Sequence, residues 1–355
     1  MKIDDLLMLA VEKKASDLHL TAGAPPVLRI DGELVMQEMP ALTTETCKEL
    51  CYSLLNESQK ERFENSKELD FSYGISGVGR FRINLYYQRG SVSAAFRLIP
   101  TQIPSFEDLG LPVSTLKKFC SLPRGFILVT GATGSGKSTT LAAMVDYISE
   151  HYNYHIISIE DPIEYLFKHK KSVVNQRELG GDTLSFAEAL KRALREDPDV
   201  VLVGEMRDLE TVSSALKIAE TGHLVLSTLH CGETVESINR IVDIFPPGQQ
   251  QQIKVQLSLT LHGVIAQQLL PRANGKGRVL ATEVMVVNPA IRNLIREGKP
   301  QEIYSHIQMG TELGSETMNR CLLRLYRRGE ITLETALNAS PNPGELQDLI
   351  KRKVV

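Results

Sequence analysis

Gly131-Ala132-Thr133-Gly134-Ser135-Gly136-Lys137-Ser138 carries the pattern Gly-x-x-x-x-Gly-Lys-Ser/Thr. The apolar run Phe126–Thr130 precedes it, and a helix-forming stretch from Ser138 to about Ser149 follows. The segment therefore reads as a loop joining a buried strand to a helix. Glycine lets such a loop turn tightly enough for its backbone N–H groups to converge on phosphate oxygens. Lys137 would reach the β- and γ-phosphates of a nucleotide, and the Ser138 hydroxyl would ligate Mg²⁺. The positive amino end of the helix adds to both. Gly131, Thr133, Gly134, Ser135, Gly136, Lys137, Ser138 and Thr139 form the expected phosphate-binding set.

Outward from the loop, short apolar runs alternate with helical patterns: Ile156–Ile159, Val200–Val203, Leu224–Thr228. That alternation, from about Val113 on, predicts an α/β fold with a largely parallel sheet. Open sheets of this kind bind ligands at the carboxyl ends of their strands. Glu160, Asp161 and Glu164 follow the first run, and Gly204-Glu205 follow the second. Many phosphate-loop proteins place a metal-binding Asp where Gly204 stands. Glu205 is therefore expected to serve the metal, and Glu164 to polarise the attacking water, with Glu160 as its competitor. Each carboxylate alone has a plainer reading as a helix-end charge or a salt-bridge partner. His223 and His230 bracket Leu224–Thr228 and are expected at the γ-phosphate region or at a link to a neighbouring domain.

The chain has 355 residues, which sets an expectation of two or three domains. Residues 1–100 predict a small α+β domain. Met1–Lys14 reads as an amphipathic helix. Val27–Ile30 meets Asp31-Gly32, a hairpin turn, and continues through Glu33–Val35. Thr43–Lys60 has helical spacing. In Gly79–Leu98 the residues Phe81, Ile83 and Leu85 face one way, Arg80, Arg82 and Asn84 the other. Pro100, Pro104 and Pro112 mark a linker over 101–112. Residues 113–355 form the second domain, helical from about 286, where Pro341 and Pro343 precede a last helix, Glu345–Lys353.

Forty basic against forty-three acidic side chains leave a net charge of −3, which argues against a nucleic-acid-coating surface. No apolar run is long enough to insert in a membrane. Five scattered cysteines without a Cys-x-x-Cys pair fit a reducing cytoplasm and offer no zinc site; Cys47 and Cys51, four apart, share a helix face.

Four ordered motifs resemble one family. Thr130–Leu141 looks like the Walker A segment of the secretion-type ATPases that drive type II secretion and type IV pili. Ile159–Glu164 resembles their aspartate box, Asp199–Asp208 their atypical Walker B, Gly included, and Gly222–His230 their histidine box. Within that family the chain looks most like the retraction ATPases. Only about a hundred residues precede the phosphate-loop domain, no tetracysteine site is present, and Ala290–Ile295 resembles the retraction segment in part.

The resemblance implies a hexameric ring of two-domain subunits, with a PAS-like N-terminal domain and a RecA-like motor domain. It implies ATP and Mg²⁺ as ligands, bound between domains near a subunit boundary. The partner implied is an inner-membrane pilus platform protein, engaged from the cytoplasm without membrane insertion and without nucleic acid. Ring ATPases usually deliver a cation to the transition state. Arg80, Arg82 and Arg97 are candidates for it, with Arg195 and Arg207 as alternatives and a solvated strand face as the plain reading. A paralogous retraction ATPase, an assembly-type member and a RecA-like nucleic-acid motor are the competing functions.

Overall fold

Asp31 and Gly32 both have positive φ, 50° and 90°, as a two-residue type I′ hairpin requires. They join β2 (Val27–Ile30) to β3 (Glu33–Met36), after β1 (Asp17–Leu20). Three longer strands follow: β4 (Glu68–Ile75), β5 (Gly79–Gln88) and β6 (Ser91–Ile99). The six form an antiparallel sheet in the order β3-β2-β1-β6-β5-β4. Phe81, Ile83 and Leu85 are buried, as the alternation along β5 predicts. Ile3, Leu6, Leu7 and Ala10 of the first helix belong to the same core.

One expected helix is two. Thr43–Lys60 divides into Thr44–Tyr52 and Glu57–Ser66. Asn56 accepts from the Gln59 N–H while the Gln59 side chain accepts from the Asn56 N–H, a reciprocal cap that starts the second helix afresh.

The computed structural model describes residues 1–352, so Lys353 of the expected last helix lies outside the described residues. The chain divides into two compact units: Met1–Gln102 with Pro162–Leu166, and Ile103–Asp161 with the chain from Phe167 on. Most of the expected linker thus falls within the second unit, where Phe106 and Leu111 are buried in the core.

The second unit is built on seven strands. These are β7 (Gly125–Thr130), β8 (His155–Glu160), β9 (Val173–Glu178), β10 (Val200–Val203), β11 (Leu224–Leu229), β12 (Leu261–Pro271) and β13 (Arg278–Val286). Their order is β13-β12-β7-β11-β10-β8-β9, and every pairing is parallel except the β12–β13 hairpin. β7, β10 and β11 are buried along their whole length, which is why they read as unbroken apolar runs rather than alternations.

All described elements after Val286 are helical. The last of them pack a separate small core, Met318, Cys321, Leu322, Leu325 and Leu346, against Leu270, Val279 and Ala281 of the hairpin. Glu283 of β13 is buried among them, 2% exposed. One of its carboxylate oxygens accepts from the N–H and hydroxyl of Thr234, at 3.1 and 2.7 Å, and the other accepts from the Met318 N–H at 3.3 Å. One carboxyl therefore sits at the amino ends of helices Thr234–Asp243 and Met318–Arg327, where it accepts from their unpaired donors.

No described helix is long and apolar enough to cross a membrane.

Candidate functional site

β7 delivers the chain to the loop, and helix Lys137–His151 begins at the loop's lysine. The Lys137 ammonium donates to the carbonyl oxygens of Gly131, at 2.9 Å, and Ala132, at 3.0 Å. It is therefore folded back across the loop that it would share with a phosphate. Gly131 has φ 148°, and a Cβ there would stand 2.4 Å from the Gln267 carbonyl oxygen. Only glycine fits. The hydroxyls of Thr130 and Ser135 are buried with no hydrogen-bond partner among the described residues. Buried hydroxyls are ordinarily satisfied, and the Ser135 hydroxyl within the loop is a donor that an anion would complete. The loop thus fits a polyphosphate on its own geometry. Thr133 and Gly134 are exposed at its crest, and Thr139 lies half-buried in the first helical turn.

Register places the other groups. In the parallel ladder Thr130 pairs with Leu229, Ser227 with Val203, and Val203 with Ile159. Gly131, His230, Gly204-Glu205 and Glu160 consequently leave the sheet at one carboxyl edge. Glu205 accepts from Arg207 Nε at 2.7 Å and meets His230 Nε2 at 2.9 Å. Partial burial pushes the Glu205 pKa up, but the hydrogen bonds and charges of Arg207 and His230 outweigh it and hold the carboxyl below its ordinary range. It is a firm anion. Among the described residues no three His, Cys, Asp or Glu side chains gather as a metal site. Ser138 and Glu205 are hard oxygen donors of the kind Mg²⁺ takes together with phosphates and waters.

Gly204 stands where an Asp is common, and the packing explains it. A Cβ at Gly204 would lie 3.2 Å from Glu160 Cα and 3.3 Å from the Ile159 carbonyl oxygen. Gly204 N–H donates to that carbonyl at 2.8 Å, and the Thr228 hydroxyl donates to the Gly204 carbonyl at 2.7 Å. Backbone hemmed in on both sides cannot step aside for a side chain. Gly204→Ala is expected to destabilise the chain by about 1–3 kcal/mol, read from urea unfolding; a change under about 0.5 kcal/mol would show the ends of the strands to be looser than this.

Glu160 is buried, and its carboxylate accepts from the Ser158 hydroxyl at 2.7 Å and from Gln176 Nε2 at 3.2 Å. Glu164 is exposed and lies in Pro162–Leu166, which groups with the N-terminal unit. In that unit Arg80, Arg82 and Arg97 share one sheet face. Arg82 is directly opposite Arg97, Arg80 donates to the Ser72 hydroxyl, and Arg97 donates to Asp17 at 2.9 Å. Facing like charges cost stability in a sheet, and Asp17 offsets only part of that. His223 and Arg195 are not brought to the phosphate edge. His223 precedes β11, at the level of the start of β7, its ring held by the Ile218 carbonyl and the Thr221 hydroxyl at 3.1 Å each. Arg195 is exposed in the turn leading into β10.

The residues that sequence reasoning missed are Gln267, Thr140 and Gln176. Gln267 is fully buried on β12 and hydrogen-bonds to both the loop and the helix behind it.

Residues 1–336 match the family described as Type II/IV secretion system protein. The chain belongs to that family. It is 48% identical to the type IV pilus retraction ATPase PilT of Pseudomonas aeruginosa, over 97% of this chain and 99% of the relative. It is 42% identical to the type IV pilus ATPase PilU of the same organism, over 99% of this chain and 92% of that one. A crystal structure of the pilus retraction motor PilT with bound ADP superposes with a TM-score of 0.90 at 56% identity, covering 98% of this chain and 99% of that one. Members of the secretion family on this pattern are two-unit α/β ATPases, and this chain has their fold and their nucleotide loop.

Proposed function

We propose that the chain is a motor ATPase that hydrolyses ATP, with Mg²⁺, to power type IV pilus retraction and twitching motility. The observation that carries this is the anion-ready loop around Lys137, sharing a sheet edge with the anionic Glu205, in a chain similar along its whole length to a retraction ATPase. Lys137 and the loop amides hold the β- and γ-phosphates. Ser138 and Glu205 would hold Mg²⁺, which supplies charge neutralisation at the phosphates when bound. Glu164 orients the attacking water and takes its proton as the water oxygen bonds to γ-phosphorus and the bond from γ-phosphorus to the β-phosphate oxygen breaks, releasing ADP. The hold of Ser158 and Gln176 on one oxygen of the buried Glu160 carboxylate supports Glu164 over its competitor. His230 steadies Glu205.

The working form is a homo-hexamer in the cytoplasm, peripheral to the inner membrane, pushing on a pilus platform protein. Its second unit is the RecA-like motor and its first the PAS-like domain. The crowded arginine face of β5 and β6 supports Arg82 or Arg97 as the cation lent to a neighbouring subunit's phosphate.

A strain lacking the gene is expected to be hyperpiliated and unable to twitch, scored by electron microscopy and stab-agar zones. Loss of surface pili would instead mark an assembly motor. The purified protein is expected to show no ATPase stimulation by DNA or RNA, and a salt-sensitive stimulation would indicate a nucleic-acid motor.

A further inference from the structure

The phosphate loop is braced from a strand 132 residues away in sequence. β12 runs parallel to β7, and Ala266 pairs with Thr130, so Gln267 stands beside the first residue of the loop. Its side-chain amide is fully buried, and both of its ends are hydrogen-bonded. Nε2 donates to the Ser135 carbonyl at 2.8 Å, and Oε1 accepts from the Thr140 hydroxyl at 3.0 Å. Its backbone carbonyl closes the space beside Gly131, and its Nε2 lies 3.2 Å from where a Cβ of Gly136 would be.

A trans peptide is planar, with its C=O and N–H pointing in opposite directions. Holding the Ser135 carbonyl on Gln267 therefore turns the Gly136 N–H away from β12, into the hollow of the loop. Without that grip the Ser135–Gly136 peptide, next to a glycine at φ 90°, has little to stop it rotating. The Thr140 bond fixes the clamp to the first turns of the helix, so the loop and the helix's amino end keep one relative position.

We propose that Gln267 is a positioning residue for nucleotide binding: it presets the Ser135–Gly136 peptide so that its N–H faces phosphate. This rests on the nucleotide-binding reading above. Preorganised donors bind more tightly because no reorganisation is needed when the ligand arrives.

The test is ADP affinity by titration calorimetry on the full-length chain, alongside ATPase kinetics and thermal unfolding. Wild-type binding comes first; if the wild type binds no ADP, the nucleotide reading itself fails. Given wild-type binding, Gln267→Leu is expected to weaken ADP by about tenfold, the scale of one well-placed neutral hydrogen bond. Its KM for ATP should rise by a similar factor, with a smaller change in kcat. Thr140→Val removes only the helix-side bond and is expected to weaken ADP by no more than about threefold. If Gln267→Leu does not fold, Gln267→Met carries the same expectation, since a thioether of similar length cannot donate to the Ser135 carbonyl. A folded Gln267 variant that binds ADP as the wild type does, with only its melting temperature lowered, would overturn the proposal. So would a Thr140→Val loss as large as that of Gln267→Leu.

Discussion

Lys137→Ala is expected to lower ATP turnover by about 10²–10³-fold or more, and to weaken ATP binding, in a chain that still folds. The size follows from what the ammonium does. It is a single cation aimed into a loop whose other donors are neutral amides, and charge develops on the γ-phosphoryl oxygens as the bond to the leaving group lengthens. Fold is spared because the Lys137 bonds to the Gly131 and Ala132 carbonyls lie in a loop whose crest is open to water. Water can replace a lysine on a carbonyl, but it cannot bring a positive charge to phosphate. Lys137→Arg should not rescue, because the side chain is 8% exposed in a loop packed against β12, and the larger planar fork has no room. Turnover within tenfold of wild type in Lys137→Ala would remove the loop from the mechanism.

Glu164→Gln should produce a chain that binds ATP and keeps it. The amide occupies the carboxylate's place, so binding survives, but it cannot take the proton from water, and general-base loss costs about 10²–10⁴-fold. Single-turnover assays with radiolabelled ATP distinguish trapped ATP from failed binding. Glu160→Gln is the paired variant. Its carboxylate already accepts from Ser158 and Gln176, so the substitution should mainly disturb local packing. If Glu160→Gln is inactive and Glu164→Gln turns over normally, the two roles are exchanged. Inactivity in both would mean that the pair acts as one unit, and Glu205→Gln would then separate metal loss from base loss through its Mg²⁺ dependence.

The phosphate loop was legible because its chemistry is local: glycines, lysine and serine act within eight consecutive residues. The parallel strands were legible because burial on both faces writes an apolar run into the chain. His230 and His223 both flank one strand, and the sequence reading sets His223 slightly ahead. A parallel sheet has a single ligand edge, however, and only the residue after the strand can reach it. Applied to His223, and to Arg195 ahead of β10, that rule would have set both aside. Asn56 and Gln59 carried a cap signal inside a stretch that looked continuously helical. Phe106 and Leu111 marked the supposed linker as core. Gln267 was not legible at all. Nothing within ten residues of it names a phosphate, and its partners, Ser135 and Thr140, are found only by folding β12 against β7.

Glu283 has a consequence for how the chain opens. The same carboxylate holds the Thr234 and Met318 amides, at the heads of two helices far apart in sequence. Neither helix can lose its first turn without giving up a bond to this buried carboxyl, and an unmet buried polar group costs about 1–3 kcal/mol. In native-state hydrogen exchange the two amides should therefore behave as one cooperative unit, although one follows the histidine-bearing loop and the other begins the C-terminal core. Damage to the C-terminal helices would then reach the phosphate edge without touching it, and a chain that arrives misfolded at its end would be silent at its centre.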